Sequence, residues 1–168
     1  MKKSIKLASS FLMAIALVAF MTPSLFAQAS MGGKTIVGTW KTVDDETGKT
    51  KSHVKVYEKG GKYYGEIVKL LHTDAESLKA QGLKAGEYSK VRCTECPAEY
   101  GGKNQTVEGV TIIKDMEKYS NKYGGGTIMD PKKGKVYTCT MWMEKADQMK
   151  VRGWVAMFYR TQTWYRVN

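Results

Sequence analysis

The sequence predicts an all-β protein, a small antiparallel up-and-down barrel of about eight strands with a helix-containing insert. Short stretches rich in β-branched and aromatic residues recur along the chain, with glycine, proline and aspartate between them. Most of the links are shorter than the dozen or more residues that a parallel crossover needs, so neighbouring strands should be antiparallel. About eight such strands can close into a barrel and leave no exposed sheet edge.

Length and composition limit the classes that fit. The chain has 168 residues and a net charge of +11, from 27 Lys and Arg against 16 Asp and Glu, which is the size of one domain. A hydrophobic content of 42% is enough for a packed core and excludes wholesale disorder. No apolar stretch of about 20 residues occurs after the first thirty positions, which argues against an integral membrane protein.

The first 27 residues are predicted to be a secretory signal peptide. Lys2, Lys3 and Lys6 precede an apolar stretch over 7–20, and Ala27 and Ala29 supply the small residues of a cleavage site. Cleavage is expected after 27 or after 29, which leaves 28–168 as one barrel domain. No cysteine stands directly after the apolar stretch, so a lipoprotein anchor is not expected. The predicted location is therefore periplasmic or extracellular, where disulfides can form.

Eight strands follow from the pattern of alternating side chains and turn residues. Gly60 and Gly61 predict a tight hairpin, because glycine tolerates the positive φ of such turns. The glycines at 124–126 have no phosphate-loop context and predict a bulge or turn. The expected strands are 36–43, 51–59, 62–71, 107–114, 126–129, 136–144, 148–157 and 161–167.

The segment 72–104 is too long for a bare loop in a compact domain. Thr73 and Glu76 have the spacing of a capping box, in which the hydroxyl and the carboxylate satisfy free backbone amides of the first turn. This predicts a short helix over 74–83. Lying across one mouth of the barrel, such a helix would close it.

Barrel closure is predicted at Gly38, Trp40 and Arg166. Gly-x-Trp lies on the first expected strand and Arg166 on the last, and these two strands are neighbours in a closed barrel. An arginine stacked on the indole would contribute about 0.5–2 kcal/mol. Arg152 is the second candidate for this contact, and a buried tryptophan in any sheet is the alternative. The pattern resembles that of the lipocalins and their relatives, the calycins.

A closer resemblance covers about 36–167. The motifs that carry it occupy residues 36–42, 45–49, 56–59, 64–71, 93–97, 128–131 with 134–137, 150–154 and 161–164. In this order they resemble the bacterial secreted family known as domain of unknown function number twenty-one forty-seven. The resemblance implies a small calycin-like barrel and no assigned activity, so no catalytic residue is carried over.

Three cysteines allow several chemistries. A Cys93–Cys96 bridge would stiffen the insert, whereas a bridge to Cys139 would pin the insert to the barrel wall. A zinc site would need the three thiols together with His53 or His72. Thioredoxin-type chemistry lacks its usual βαβ surroundings. The disulfide within the insert is the favoured interpretation, and no metal or cofactor is predicted.

The inner wall of the barrel is predicted to hold a soft pocket or to be filled solidly. Two expected strands each place apolar residues on one face, and methionine adapts to irregular apolar shapes. The first functional hypothesis is non-enzymatic binding of a small apolar or amphipathic ligand. The second is a filled barrel that acts through an outer aromatic patch, with Trp142 and Trp154 as candidates, and the third is a metal or redox protein. The candidate lining residues are Tyr137, Cys139, Met141, Met143, Met149, Val151 and Val155.

The basic charge is spread singly along the chain. This is typical of a solvated surface, and it also fits weak attraction to an anionic envelope component such as lipid headgroups or polysaccharide. Nucleic acid is not expected as a partner, because the export signal argues against it. His53 shares a strand face with charged and aromatic residues and is expected to be a half-exposed strand residue.

Overall fold

The computed structural model describes residues 35–44 and 47–167, so the predicted signal segment lies outside the described residues. The described chain is mostly β, with one short α-helix, α1, at Ala75–Ala80. Ten strands were found in this part of the chain. They are β1 Gly38–Val43, β2 Thr50–Lys59, β3 Lys62–Leu70, β4 Arg92–Cys93, β5 Gln105–Thr106, β6 Thr111–Tyr119, β7 Lys122–Asp130, β8 Lys135–Lys145, β9 Gln148–Val155 and β10 Phe158–Arg166.

Eight of these strands form a closed antiparallel barrel, which confirms the predicted fold class. The order around the barrel is β1-β10-β9-β8-β7-β6-β3-β2. β4 and β5 form a separate two-stranded ribbon within the insert. The first and last strands are neighbours, and Trp40 on β1 pairs with Arg166 on β10.

The connections divide the barrel into two ends. The links β2–β3, β6–β7 and β8–β9 lie at one end together with the end of β10, and we call this the closed end. The links β1–β2, β7–β8 and β9–β10 and the long insert between β3 and β6 lie at the other end, which we call the open end. Antiparallel pairing of consecutive strands produces this division, because each strand reverses the direction of the one before it.

Glycine sets the backbone geometry of one turn and of one bulge. Gly60 and Gly61 have φ of 61° and 77° and form the expected tight turn between β2 and β3. Within β7, Gly125 has φ of 73° where the register with β8 shifts, so the glycine run forms a bulge inside a strand. The strand therefore extends over Lys122–Asp130 rather than the shorter 126–129 expected from the sequence.

The start of β6 also differs from the prediction. Residues 107–110 precede the strand and bind the edge of β3, where the amide of Gly109 donates to the carbonyl of Ile67 and the amide of Ile67 donates to the carbonyl of Val110. The apolar residues at Val107 and Val110 are buried there, which gives this short link the composition of a strand.

The insert contains α1, a 3₁₀ turn at Tyr88–Lys90, the β4–β5 ribbon and a second 3₁₀ turn at Ala98–Tyr100. The helix starts one residue later than a Thr73 cap would place it, since Asp74 is the N-cap. Its carboxylate accepts hydrogen bonds from the amide and the hydroxyl of Ser77, both at 2.8 Å. A carboxylate also suits the positive end of a helix better than a hydroxyl does, which is why Asp74 takes this place.

Three side-chain contacts attach the insert to the β7–β8 side of the barrel at the open end. The Lys132 ammonium, from the β7–β8 turn, lies 3.0 Å from the Asp74 carboxylate. The sulfur of Cys93 lies 3.1 Å from the carbonyl oxygen of Pro131 in the same turn. The Tyr100 and Thr127 hydroxyls are hydrogen-bonded at 2.6 Å. The insert is thus held against the β7–β8 side of the barrel.

Candidate ligand cavity

The barrel interior is filled at the closed end by large side chains. Trp40 is fully buried, and its indole nitrogen donates a hydrogen bond of 2.7 Å to the carbonyl of Ile36. The buried cluster around it contains aliphatic, methionine and aromatic side chains from most strands of the barrel. Its members with less than 2% exposure include Ile36, Val54, Val56, Ile113, Met116, Met141 and Met149.

Arg166 seals this end from outside. Its guanidinium carbon lies 4.3 Å from the centre of the Trp40 ring. Its nitrogens donate to the carbonyls of Thr35 at 2.6 Å, Val37 at 3.0 Å and Ala146 at 3.2 Å. Gly38 has φ of 139°, and an added Cβ would lie 2.5 Å from an Arg166 nitrogen, so glycine is required there. Burial lowers the pKa of Arg166.

At the open end the side chains leave a cavity of about 810 Å³. More of its wall surface is apolar than polar, and Trp164, which is 2% exposed, is one of the lining residues. Gly153 also lines the cavity, where an added Cβ would make only ordinary contacts, 3.4 Å from Tyr137 and 3.8 Å from Ile128. Gly153 leaves part of this volume open, because it has no side chain to fill it.

The polar groups inside the cavity are already hydrogen-bonded. The hydroxyls of Thr42 and Ser52 are buried and lie 2.8 Å apart. The indole nitrogen of Trp164 donates to the Gln162 side chain at 3.2 Å. No buried side-chain nitrogen or oxygen lacks a partner among the described residues. The interior therefore makes no demand for a polar ligand, and apolar contact is what it offers.

Charged side chains surround the mouth. The basic ones outnumber the acidic ones, and two of the acids are already paired, Asp44 with Lys51 at 3.5 Å and Asp74 with Lys132 at 3.0 Å. Burial of the Asp74 carboxylate opposes its ionisation, but hydrogen bonds from Ser77 and Lys132 outweigh this and hold its pKa well below the usual range. The charged lining residues are Lys51, Arg92, Lys132, Lys133, Arg160, Asp44, Asp74 and Asp130.

Only some of the residues predicted to line a pocket are part of the cavity wall. Tyr137, Val151 and Val155 do line the cavity. The other four residues are not part of this lining: Cys139, Met141 and Met149 are fully buried, and Met143 packs against the core. The alternation along the strands identifies side chains that face the core, but not their depth in the barrel. Met149 pairs with Trp164 on β10 and with Met143 on β8.

Arg152, the second candidate for the Trp40 contact, lies elsewhere. It stacks on the outer wall, with its guanidinium carbon 5.1 Å from the ring centre of Trp142, 5.3 Å from that of Trp154 and 4.1 Å from that of Tyr159. We call Arg152, Trp142, Trp154 and Tyr159 the outer aromatic cluster. The alternation on β9 placed Trp154 outside, but the register with β8 and β10 was needed to bring the rings together.

The cysteines and histidines form no metal site. Cys93 and Cys96 are joined as a disulfide, and Cys139 is a buried free thiol whose pKa is raised to about 12 by burial. His53 is half-buried with its pKa lowered by burial and by Lys69 and Lys41. No group of three or more His, Cys, Asp or Glu in the described part of the chain is placed to hold a metal ion.

Comparisons with known proteins agree with this architecture. A family model described as "Uncharacterized protein conserved in bacteria (DUF2147)" matches residues 38–166. A solved structure, protein HP1028 from Helicobacter pylori, is described as belonging to the lipocalin family. It has a TM-score of 0.61 at 20% identity, over 81% of this chain and 85% of that one. No curated protein matches significantly. Among the described residues, no helix has the length and apolar character needed to span a bilayer.

Proposed function

Because this chain belongs to the DUF2147 family of uncharacterised bacterial proteins, whose description assigns no activity, we propose a function from the cavity itself. The protein binds a small apolar or amphipathic ligand, without catalysis, in the open half of its barrel. Ligand pockets in proteins are mostly apolar and occupy about 300–1,000 Å³. The cavity of about 810 Å³ falls in this range and is large enough for a molecule with a hydrocarbon body.

The contrast in packing within one barrel carries this proposal. An eight-stranded barrel is wide enough either to be filled by side chains or to hold one small ligand. Here the closed end is filled around Trp40 and Met149, whereas the open end has Gly153 and Val151 on its inner wall. Leaving apolar surface uncovered lowers stability, so a cavity of this size needs a compensating role such as ligand binding.

The distribution of polarity supports an amphipathic ligand. The wall offers apolar surface from aliphatic, methionine and aromatic side chains, and the buried hydroxyls of Thr42 and Ser52 already bind each other. Basic side chains are in excess at the mouth, among them Lys133 and Arg160. A ligand with an apolar body and a polar or anionic head would place the body inside and the head at this rim.

Export is part of the proposal. The signal-peptide pattern of the first 27 residues directs the chain out of the cytoplasm, to the periplasm or the exterior. The disulfide between Cys93 and Cys96 supports this location, because such bonds form and persist in oxidising compartments. The ligand would then be an apolar component of the cell envelope or its surroundings.

The test fills the cavity from within. Gly153→Leu adds a side chain between Tyr137 and Ile128, while Thr138→Leu adds apolar bulk at an exposed position of β8 and serves as the control. Titration with the apolar fluorophore N-phenylnaphthylamine should show saturable binding to the wild type and to Thr138→Leu. Gly153→Leu should bind at least about tenfold more weakly, since the ligand loses the space that its apolar surface occupies.

Native mass spectrometry of protein purified from its own envelope extends this test. A bound mass in the wild type that is lost in Gly153→Leu would identify the ligand class. Equal fluorophore binding by the wild type and Gly153→Leu, with both proteins folded by circular dichroism, would refute the cavity as the binding site.

A further inference from the structure

The tip of the β9–β10 hairpin presents apolar side chains to solvent beside the cavity mouth. Val155, Met157, Phe158 and Tyr159 are 55%, 82%, 74% and 57% exposed. Val155 and Phe158 also line the cavity, so the tip forms part of its rim. Isolated exposed apolar residues are ordinary, but such a run at the end of one hairpin marks an interaction surface.

The tip holds these side chains at the expense of backbone strain. The turn residues are Ala156 and Met157, and Ala156 has φ of 51°. Asparagine and glycine usually take such positions, because other residues are strained in this conformation. Asparagine or glycine at this turn would relieve the backbone strain and would be better solvated than the apolar residues present. The turn therefore exposes an apolar surface at a cost in local stability.

Basic and aromatic residues flank the apolar tip. From Gln148 to Val167 the chain contains no carboxylate, and its cations are Lys150, Arg152, Arg160 and Arg166. The outer aromatic cluster begins immediately behind the tip, with Trp154 and Tyr159 4.9 Å apart and Arg152 stacked on both. Aromatic side chains of this kind are enriched at the level of lipid headgroups, and arginine is suited to phosphate.

We propose that this hairpin tip docks the protein on an anionic membrane surface, with the cavity mouth facing the bilayer. Met157 and Phe158 enter the boundary between headgroups and acyl chains, Trp154 and Tyr159 lie at headgroup level, and Arg160 contacts lipid phosphate. The chemistry combines apolar burial with attraction of a basic surface to anionic lipid, which is how amphipathic surface segments bind membranes. The position of the tip on the cavity rim would bring an apolar ligand to the mouth without passage through water.

This inference goes beyond the proposed function and does not depend on it, since a barrel with no ligand could still dock. The test measures co-sedimentation with vesicles of phosphatidylethanolamine and phosphatidylglycerol, and with vesicles of phosphatidylcholine alone. The full exported chain should bind the anionic vesicles, bind phosphatidylcholine much less, and dissociate as salt is raised. The cavity-filled Gly153→Leu protein should bind vesicles as the wild type does.

Substitutions at the tip distinguish docking through this surface from nonspecific adsorption through any exposed apolar side chain. The double variant with Met157→Ser and Phe158→Ser should bind anionic vesicles about tenfold more weakly, because it loses two exposed apolar side chains and no charge. Val68→Ser with Tyr119→Ser, which removes two exposed apolar side chains from β3 and β6, is the matched control and should bind normally. Neither pair is part of the buried core, so both variants should fold.

Depth of insertion provides an independent readout. Met157→Trp adds an indole to the four native ones, and lipids brominated on their acyl chains should quench a larger share of its emission than of the wild type's. The same substitution at Val68 should not raise quenching above that of the wild type. Absence of vesicle binding by the wild type, equal binding by the tip variant and its control, or concentration-dependent dimerisation through the tip in place of vesicle binding would each overturn the proposal.

Discussion

The closed and open ends of this barrel are built from the same eight strands but are packed differently. At the closed end Trp40 is fully buried and Arg166 binds three backbone carbonyls across it. At the open end Met157 is 82% exposed and small inward residues such as Gly153 leave a cavity. Strand pairing therefore closes the barrel at both ends alike, while the side chains that face inward fill one end and leave a cavity at the other.

The largest effect is expected from breaking the closed end. Trp40→Ala should lower the free energy of unfolding by about 3–5 kcal/mol, because it removes a fully buried aromatic ring and leaves Arg166 without its stacking partner. Phe158→Ala at the open end is the contrast, and should cost less than about 0.5 kcal/mol because that ring is exposed. Urea denaturation measures both. Equal losses in the two variants would show that the ends are not different in packing.

An intermediate effect is expected from the disulfide of the insert. The double variant Cys93→Ala with Cys96→Ala should lose about 2 kcal/mol, since the bridge closes only a short loop. The loss should be local. Hydrogen exchange should accelerate in the insert and stay unchanged around Trp40. Non-reducing mass spectrometry of the wild type should find Cys93 and Cys96 in one bridge, and two free thiols there would contradict the assignment.

A smaller effect is expected at Asp74, which caps α1 and binds Lys132. Asp74→Ala should cost about 1 kcal/mol, and Asp74→Asn less, because the amide oxygen still accepts the hydrogen bonds from Ser77. The pKa of Asp74 is lower in the folded protein than in the unfolded chain. The stabilisation of the folded state by the Asp74 carboxylate is therefore complete above the pKa of about 4 in the unfolded chain, and it is lost as pH falls below that pKa. Thermal melts between pH 7 and pH 3 should show a smaller pH dependence for Asp74→Asn than for the wild type, and equal slopes would contradict this role.

Much of the barrel follows from sequence, and the reasons are local. The hairpin glycines 60 and 61 and the alternation on β2, β8 and β9 identify strands because they depend on neighbouring residues only. The Gly-x-Trp pattern located the first strand of the barrel and the residue at the centre of its closed end. The sequence predicts the helix, but Thr73 and Asp74 are both residue types that cap helices. Only the structure shows that Asp74 is the N-cap.

The cavity lining could not be predicted from such local patterns. Cys139 and Met141 alternate with outward residues just as Tyr137 does, and yet only Tyr137 lines the cavity. Depth in the barrel depends on strand stagger and on bulges such as the one at Gly125, which involve distant strands. The outer aromatic cluster has the same origin, since its residues come from three strands in register.

Methyl NMR during titration with dodecanoate tests the difference between the two ends most directly. We expect methyl signals of Ile67, Ile128 and Val151, which line the cavity, to shift in a saturable manner, while those of Ile36, Val56 and Met116 in the closed end stay in place. Shifts confined to the outer surface, or equal shifts at both ends, would contradict a binding site in the open half of the barrel.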